Sequence, residues 1–235
     1  MNILLIAGHG AGDPGASANG YTESVLTREL VFKLKSQLEK HSNITVFDTS
    51  KNMYRHLKSG NTFDFSRYDY VLEIHFNAGI SENAKKDGLS TGCEILVHKN
   101  ESGISVEEKI LKNLSGLGFK NRGIKRRSDL QNMNTVHKKG VSYALLETCF
   151  IDDPTDMNLY ISKKDAVVSA IADGIKKGFG LIKTNIGLTS VNDIVRELAN
   201  RGIITDSELW LKKLAEDKNA YWLARKTVAY LLSIS

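Results

Sequence analysis

Over the first 180 residues the apolar positions alternate between two textures. Compact apolar runs at residues 2–7, 44–47, 68–76, 93–97 and 143–151 read as strands. Between them, apolar residues recur at helical spacing. Leu26, Leu30, Leu34 and Leu38 follow Thr22, a residue type that opens helices. Residues 104–117 predict a second helix. Ser162 with Asp165 resembles a capping box for a third, running through Lys177 and ended by Gly178 or Gly180. Strands alternating with helices predict an α/β layered fold. Residues 8–20, 77–92 and 118–140 read as loops, and loops of that length often carry function.

The pattern changes after Leu181. Residues 187–235 contain no strand-like run. Val191, Ile194, Val195 and Leu198 share one helical face, and Gly202 ends it. Thr205 and Glu208 suggest a capping box for a second helix with Leu209, Trp210 and Leu214. A third helix is expected through Tyr221, Trp222, Val228 and Leu232. The expected organisation is a domain at 1–182, a linker near Lys183–Asn185 and a small all-α bundle at 187–235.

Composition narrows the function classes. With 41% hydrophobic and 25% charged residues, the chain of 235 residues can bury a core and is not a disordered polymer. The net charge of +5 is mild, and no dense basic stripe with interleaved aromatics is present, so nucleic acid is not expected as a partner. The densest basic run, Lys125-Arg126-Arg127, reads as a solvated loop. No apolar run approaches the roughly 18 residues of a membrane span. Residues 1–7 lack a preceding basic stretch and read as a strand, not a signal peptide. The expectation is synthesis in the cytoplasm. Cys93 and Cys149 form no CxxC pair and are expected to be buried thiols.

Candidate chemistry concentrates at strand ends. Glu147 is a carboxylate inside the apolar run Ala144–Phe150, where an unpaired charge is costly, and burial would raise its pKa toward that of a general base or acid. His75 shares a strand face with Glu73 and Asn77, and His9 follows the first strand. If strands one and three are neighbours, both imidazoles reach the same sheet edge. Glu23, in the first turn of the first helix, faces back to it. Two His and a carboxylate suit a metal with an open coordination position. The sequence distances from His9 to Glu23 to His75 match no compact metal motif, and Glu23 is equally readable as a helix-dipole partner. Gly10-Ala11-Gly12-Asp13-Pro14-Gly15 formally matches a dinucleotide fingerprint. It fails mechanically, because the helix starts near Thr22 and cannot point its N-terminus into those glycines.

The ordered set of segments resembles one family. Ala7-Gly8-His9-Gly10-Ala11-Gly12-Asp13-Pro14-Gly15-Ala16, Tyr21-Thr22-Glu23, Glu73-Ile74-His75-Phe76-Asn77-Ala78 and Asn121-Arg122-Gly123-Ile124-Lys125 are four of the matching stretches. Leu145-Leu146-Glu147-Thr148-Cys149-Phe150 with Asp152–Asp156, and Ala170–Ile175, complete them. Across roughly residues 1–180 the chain resembles the zinc-dependent N-acetylmuramoyl-L-alanine amidases, peptidoglycan hydrolases that include cell-wall amidases and phage endolysins. Glu73 departs from the family's usual serine, and residues 49–67 match poorly.

The resemblance implies an α/β fold: a mixed, largely parallel twisted sheet flanked by helices, with the helical bundle after it. It implies one Zn2+ on His9, Glu23 and His75, with Glu147 as the catalytic carboxylate. Asn77 and Arg122 become candidate substrate-binding residues, and Glu73 a residue orienting His75. The implied partner is peptidoglycan, cleaved at the amide between the muramoyl group and L-Ala, as by an endolysin acting on the wall after release. Alternatives are a zinc carboxypeptidase on wall peptides and a sporulation or autolytic amidase. The C-terminal helices are open to three readings: binding of secondary wall polymers, self-association or simple packing.

Overall fold

The computed structural model describes residues 1–79, 90–181, 191–217, 224 and 228. The chain divides into two compact units, Met1–Phe179 and Gly180–Ser235. In the first, β1 (Asn2–Ala7) leads through a hairpin of β2 (Ser17–Ala18) and β3 (Tyr21–Thr22) into α1 (Glu23–Leu38). Then come β4 (Asn43–Val46), α2 (Met53–Lys58), β5 (Tyr70–Asn77), β6 (Cys93–His98) and α3 (Ser105–Gly116). The unit closes with β7 (Asn121–Arg127), α4 (Gln131–His137), β8 (Ser142–Phe150), α5 (Pro154–Ser162) and α6 (Lys164–Gly178).

One sheet in the order β4-β1-β5-β8-β6-β7 organises this unit. The first four strands run parallel. β6 pairs antiparallel with β8, and β7 runs parallel to β6. The sheet is therefore mixed and largely parallel. Strands one and three of the sequence reading are neighbours. The antiparallel seam also brings the start of β6 to the edge where β1, β5 and β8 end.

Both sheet faces are covered, which explains the continuous apolar runs of the inner strands. On one face α2 and α4 close a core with Leu4, Ile6, Val71, Met133, Val136 and Leu145. On the other lie α1, α3 and α6. Leu26, Leu30, Leu34 and Leu38 of α1 are all buried. α3 and α6 approach closely because Gly174 and Gly178 present no side chain. A Cβ on Gly174 would stand 2.8 Å from the Ile110 backbone, and one on Gly178 would stand 2.7 Å from Val106 Cα. Cys93 and Cys149 are free and buried.

Several local expectations change. Residues 118–140 are not one loop but contain β7 and α4. β7 lacks an apolar signature because it is an edge strand, with mostly half-buried or exposed positions. α4 has only seven residues, too few to show a period. α5 occupies the turn after β8, with Pro154 in its first turn and Asp153 capping Asp156 N. Ser162 ends α5, where its hydroxyl donates to Leu159 O, and Lys163 rather than Ser162 holds the N-cap position of α6.

In the second unit, α7 (Val191–Asn200) and α8 (Ser207–Glu216) are present. Gly202, at φ +67°, ends α7, and Ile203 N returns to Leu198 O at 2.9 Å. Asp206, not Thr205, caps α8 by accepting from Leu209 N. Ile194, Val195, Leu198, Ile204 and Leu214 form its core with Ala224 and Val228. Apart from those last two residues, the third expected helix lies outside the described residues, as does the expected linker.

Two stability predictions follow from the α3/α6 side. Gly174→Ala forces a methyl against the Ile110 backbone and should cost about 1–3 kcal/mol in denaturant unfolding. Glu107 is 1% exposed. Its Oε1 accepts from Tyr70 OH at 2.8 Å, while its Oε2 is buried without a partner. Burial raises its pKa. A raised folded-state pKa means the folded state binds the proton more tightly. The stabilisation is complete below the ordinary carboxylate range and is lost as pH rises through the folded-state value. Glu107→Gln should therefore gain stability over the parent as pH rises above the ordinary carboxylate range, and a gain that does not grow with pH there would contradict this.

Candidate metal centre

His9, Glu23 and His75 converge at the C-terminal edge of β1 and β5. Their ligand atoms all lie within 4.8 Å of one another. His9 Nε2 stands 3.2 Å from Glu23 Oε2, and His75 Nδ1 stands 2.9 Å from Glu23 Oε1. The imidazoles meet edge to face, with centroids 4.9 Å apart.

The glycine loop makes this convergence possible. A Cβ on Gly8 would lie 2.5 Å from the His75 ring. One on Gly15 would lie 2.6 Å from Glu23 Oε2 and 2.7 Å from the His9 ring. The glycines thus create room for side chains rather than for a pyrophosphate. The backbone is also strained, since His9 and Ala11 hold φ of 61° and 49°. Such strain persists only where surrounding contacts enforce it. Arg28 supplies those contacts by donating to the carbonyls of Gly8, His9, Ser24 and Thr49. The loop in turn satisfies α1: Glu23 N donates to Ala16 O, and Ser24 N to Pro14 O. Thr22 occupies the N-cap position but makes no side-chain cap.

Each imidazole has an orienting carboxylate on its other nitrogen. Asp13 Oδ2 sits 3.1 Å from His9 Nδ1 and also accepts from Asn52 Nδ2 at 3.0 Å. Glu73 Oε1 sits 3.0 Å from His75 Nε2. Glu73 is buried, and Asn132 Nδ2 and Tyr143 OH donate to it as well. This is the usual support of metal-binding histidines. Burial alone would raise the pKa of Glu23, yet bonds from His75 and His9 hold it well below the carboxylate range. The bond to Glu23 raises His9. Burial pulls His75 down, but its bonds to Glu23 and Glu73 outweigh that and raise it. Two nitrogens, one carboxylate oxygen and an open side fit a tetrahedral divalent metal.

Glu147 neighbours His75 across the β5/β8 ladder. Burial raises its pKa to about 7, and its Oε2 is buried without a hydrogen-bond partner. The ladder shifts just beyond, pairing Asn77 with Phe150. Asn77 and Arg122 meet at Glu94, which accepts from Asn77 Nδ2 at 3.1 Å and Arg122 Nε at 3.0 Å. A cavity of about 350 Å3 opens beside the histidines, lined by Asn52, Tyr54, Gln131 and Asn132 among others.

Sequence reasoning missed Arg28, Asn132, Tyr143 and Glu94. Only Glu94 left a signal: a carboxylate inside an apolar strand, as at Glu147.

Residues 3–177 match the family model for N-acetylmuramoyl-L-alanine amidase. The chain belongs to that amidase family. A probable autolysin of Staphylococcus aureus is 28% identical over 208 residues, covering 81% of this chain and 42% of that protein. The endolysin of Bacillus phage SPP1 is 27% identical over 183 residues, covering 77% of this chain and 65% of its own length. The chain thus spans less than two thirds of these two relatives. The amidase AmiC2 of Nostoc punctiforme shares the fold, with a TM-score of 0.61 at 19% identity over 77% of this chain and 97% of that one. Among the described residues, no helix is long and apolar enough to cross a membrane.

The trio predicts a metal titration. Equilibrium dialysis should show one divalent ion retained per chain, and Glu23→Ala should abolish retention. Protons compete for His9 and His75, so affinity should rise with pH; a flat profile would contradict the assigned ligands.

Proposed function

We propose that this amidase is zinc-dependent and hydrolyses the amide joining N-acetylmuramic acid to L-alanine in peptidoglycan. The observation that carries the reading is one sheet edge presenting His9, Glu23 and His75 beside Glu147, a partly desolvated carboxylate. Zinc bound there would polarise the amide carbonyl and the attacking water.

The remaining chemistry belongs to side chains. A base with pKa near 7 accepts a proton and returns it at the same pH. Glu147 takes the proton from the attacking water. It then delivers that proton to the leaving nitrogen, which departs as the amine of L-Ala. Asp13 and Glu73 keep the two imidazoles oriented, so the ligand nitrogens need no rearrangement. Arg122 and Asn77 belong to the substrate side.

Similarity to the phage endolysin supports a lytic role on the wall after release from the cell. We assign the C-terminal helices to attachment on wall polymers. Supporting this, Ile203 and Leu209 are exposed on this unit, and Lys213 Nζ lies 5.4 Å from the Trp210 ring centroid.

Purified walls test the reading. Glu147→Gln should lower lysis by about 100-fold or more while leaving metal content unchanged. A chelator should stop lysis by the parent chain, and zinc should restore it. The digested walls should expose new N-terminal L-Ala. Release of a C-terminal amino acid instead would identify a carboxypeptidase.

A further inference from the structure

Glu94 lies directly across from Glu147 in the antiparallel register of β6 and β8. It is 8% exposed, and each oxygen meets a different donor. Asn77 Nδ2 reaches Oε1 from the end of β5, and Arg122 Nε reaches Oε2 from β7. One carboxylate thereby ties together three strands around the candidate general base.

The local backbone is built for this contact. Between β6 and β7, Cys93 pairs with Asn121 but Ile95 pairs with Ile124, so Arg122 and Gly123 both oppose Glu94. Gly123 takes φ +82°, and its N–H donates to Asn121 Oδ1. An extra residue of this kind re-aims a side chain. The re-aimed guanidinium also lies over Phe150, its Cζ 4.9 Å from the ring centroid. Asn77 is fixed from its other side, since Oδ1 accepts from Ala78 N at 2.8 Å.

Stability alone is a weak reason for such a cluster. Apolar residues of equal volume often stabilise a fold as well as a desolvated ion pair does. What an ion pair adds is orientation. Arginine bound through Nε has a fixed plane, which a lysine in its place would lack.

We propose that Glu94 is a positioning residue of the amidase site: it holds Arg122 and Asn77 in place beside Glu147, so that the guanidinium receives a carboxylate or carbonyl oxygen of the wall peptide. This rests on the amidase reading for the identity of the ligand. Glu94 itself touches no reacting atom.

The test uses N-acetylmuramoyl-L-alanyl-D-isoglutamine as probe. Its affinity is measured by calorimetry on the full chain carrying Glu147→Gln, which leaves the probe uncleaved. Adding Glu94→Gln should weaken binding about tenfold, the scale of a charge-assisted bond. Arg122→Ala should weaken it similarly. Glu94→Gln and Arg122→Ala together should lose no more than Arg122→Ala alone. Without the Glu147 substitution, Glu94→Gln should raise KM on the same compound with little change in kcat. Metal content should stay at the parent level.

Unchanged affinity, additive losses in the combined variant, or loss of metal would each overturn the proposal. If Glu94→Gln fails to fold, Arg122→Lys keeps the charge without the Nε contact and should show the same tenfold loss; parent-like affinity there overturns it equally. Failure of the parent chain to free the amino group of L-Ala, released as L-alanyl-D-isoglutamine, overturns the amidase reading instead, and the affinity comparison still decides the role of Glu94.

Discussion

The carboxylate of Glu23 is shared by two imidazoles that reach it from different strands. One oxygen faces His9 and the other faces His75. The second also accepts the backbone N–H of Phe76, and the first that of Ala16. A charge buried to 3% exposure is tolerated only when so many donors surround it. The requirement propagates outward. β1 and β5 must be neighbours in register, α1 must begin at Glu23, and the loop between must be stripped of side chains where the rings pass. Much of the first unit can be read as satisfying those conditions at once.

Arg28 and the carboxylates behind the imidazoles show how the cost is distributed. The site concentrates strained φ angles and negative charge within a short stretch of chain. Arg28 neutralises the carbonyl dipoles of the strained loop from below, and Asp13 and Glu73 hold the rings from the side. Glu73 is itself saturated by Asn132 and Tyr143. Motion of the His75 imidazole would therefore disturb contacts that reach α1 through Glu23, and α4 and β8 through Glu73. A centre framed in this way is pre-organised rather than assembled when substrate arrives.

Elements with strong apolar periods were legible in the sequence: β1, β5, β6, β8, α1 and α6. Their runs reflect burial on both faces of the sheet, which composition records directly. α2, α4 and β7 were not legible, because short helices show no period and an edge strand buries too little. His9, His75 and Glu147 stood out as polar groups at the ends or inside of apolar runs. Glu23 needed the family resemblance, because an acidic residue in a first helical turn is ordinary. Arg28, Asn132 and Tyr143 act through contacts between residues far apart in sequence, and no local pattern encodes those. Glu94 carried the same signal as Glu147 but needed strand order to show that the two are neighbours.

β7 gives the basic run of the sequence a different meaning. Lys125, Arg126 and Arg127 lie on the outermost strand of the sheet and are mostly exposed. A free strand edge invites another chain to add to it, and repelling charges along that edge prevent this. The run that the sequence reads as a solvated loop is thus part of a strand, where exposed charge disfavours addition of a second chain. The same strand also carries Arg122, so its charged length and its bulged start meet two separate demands.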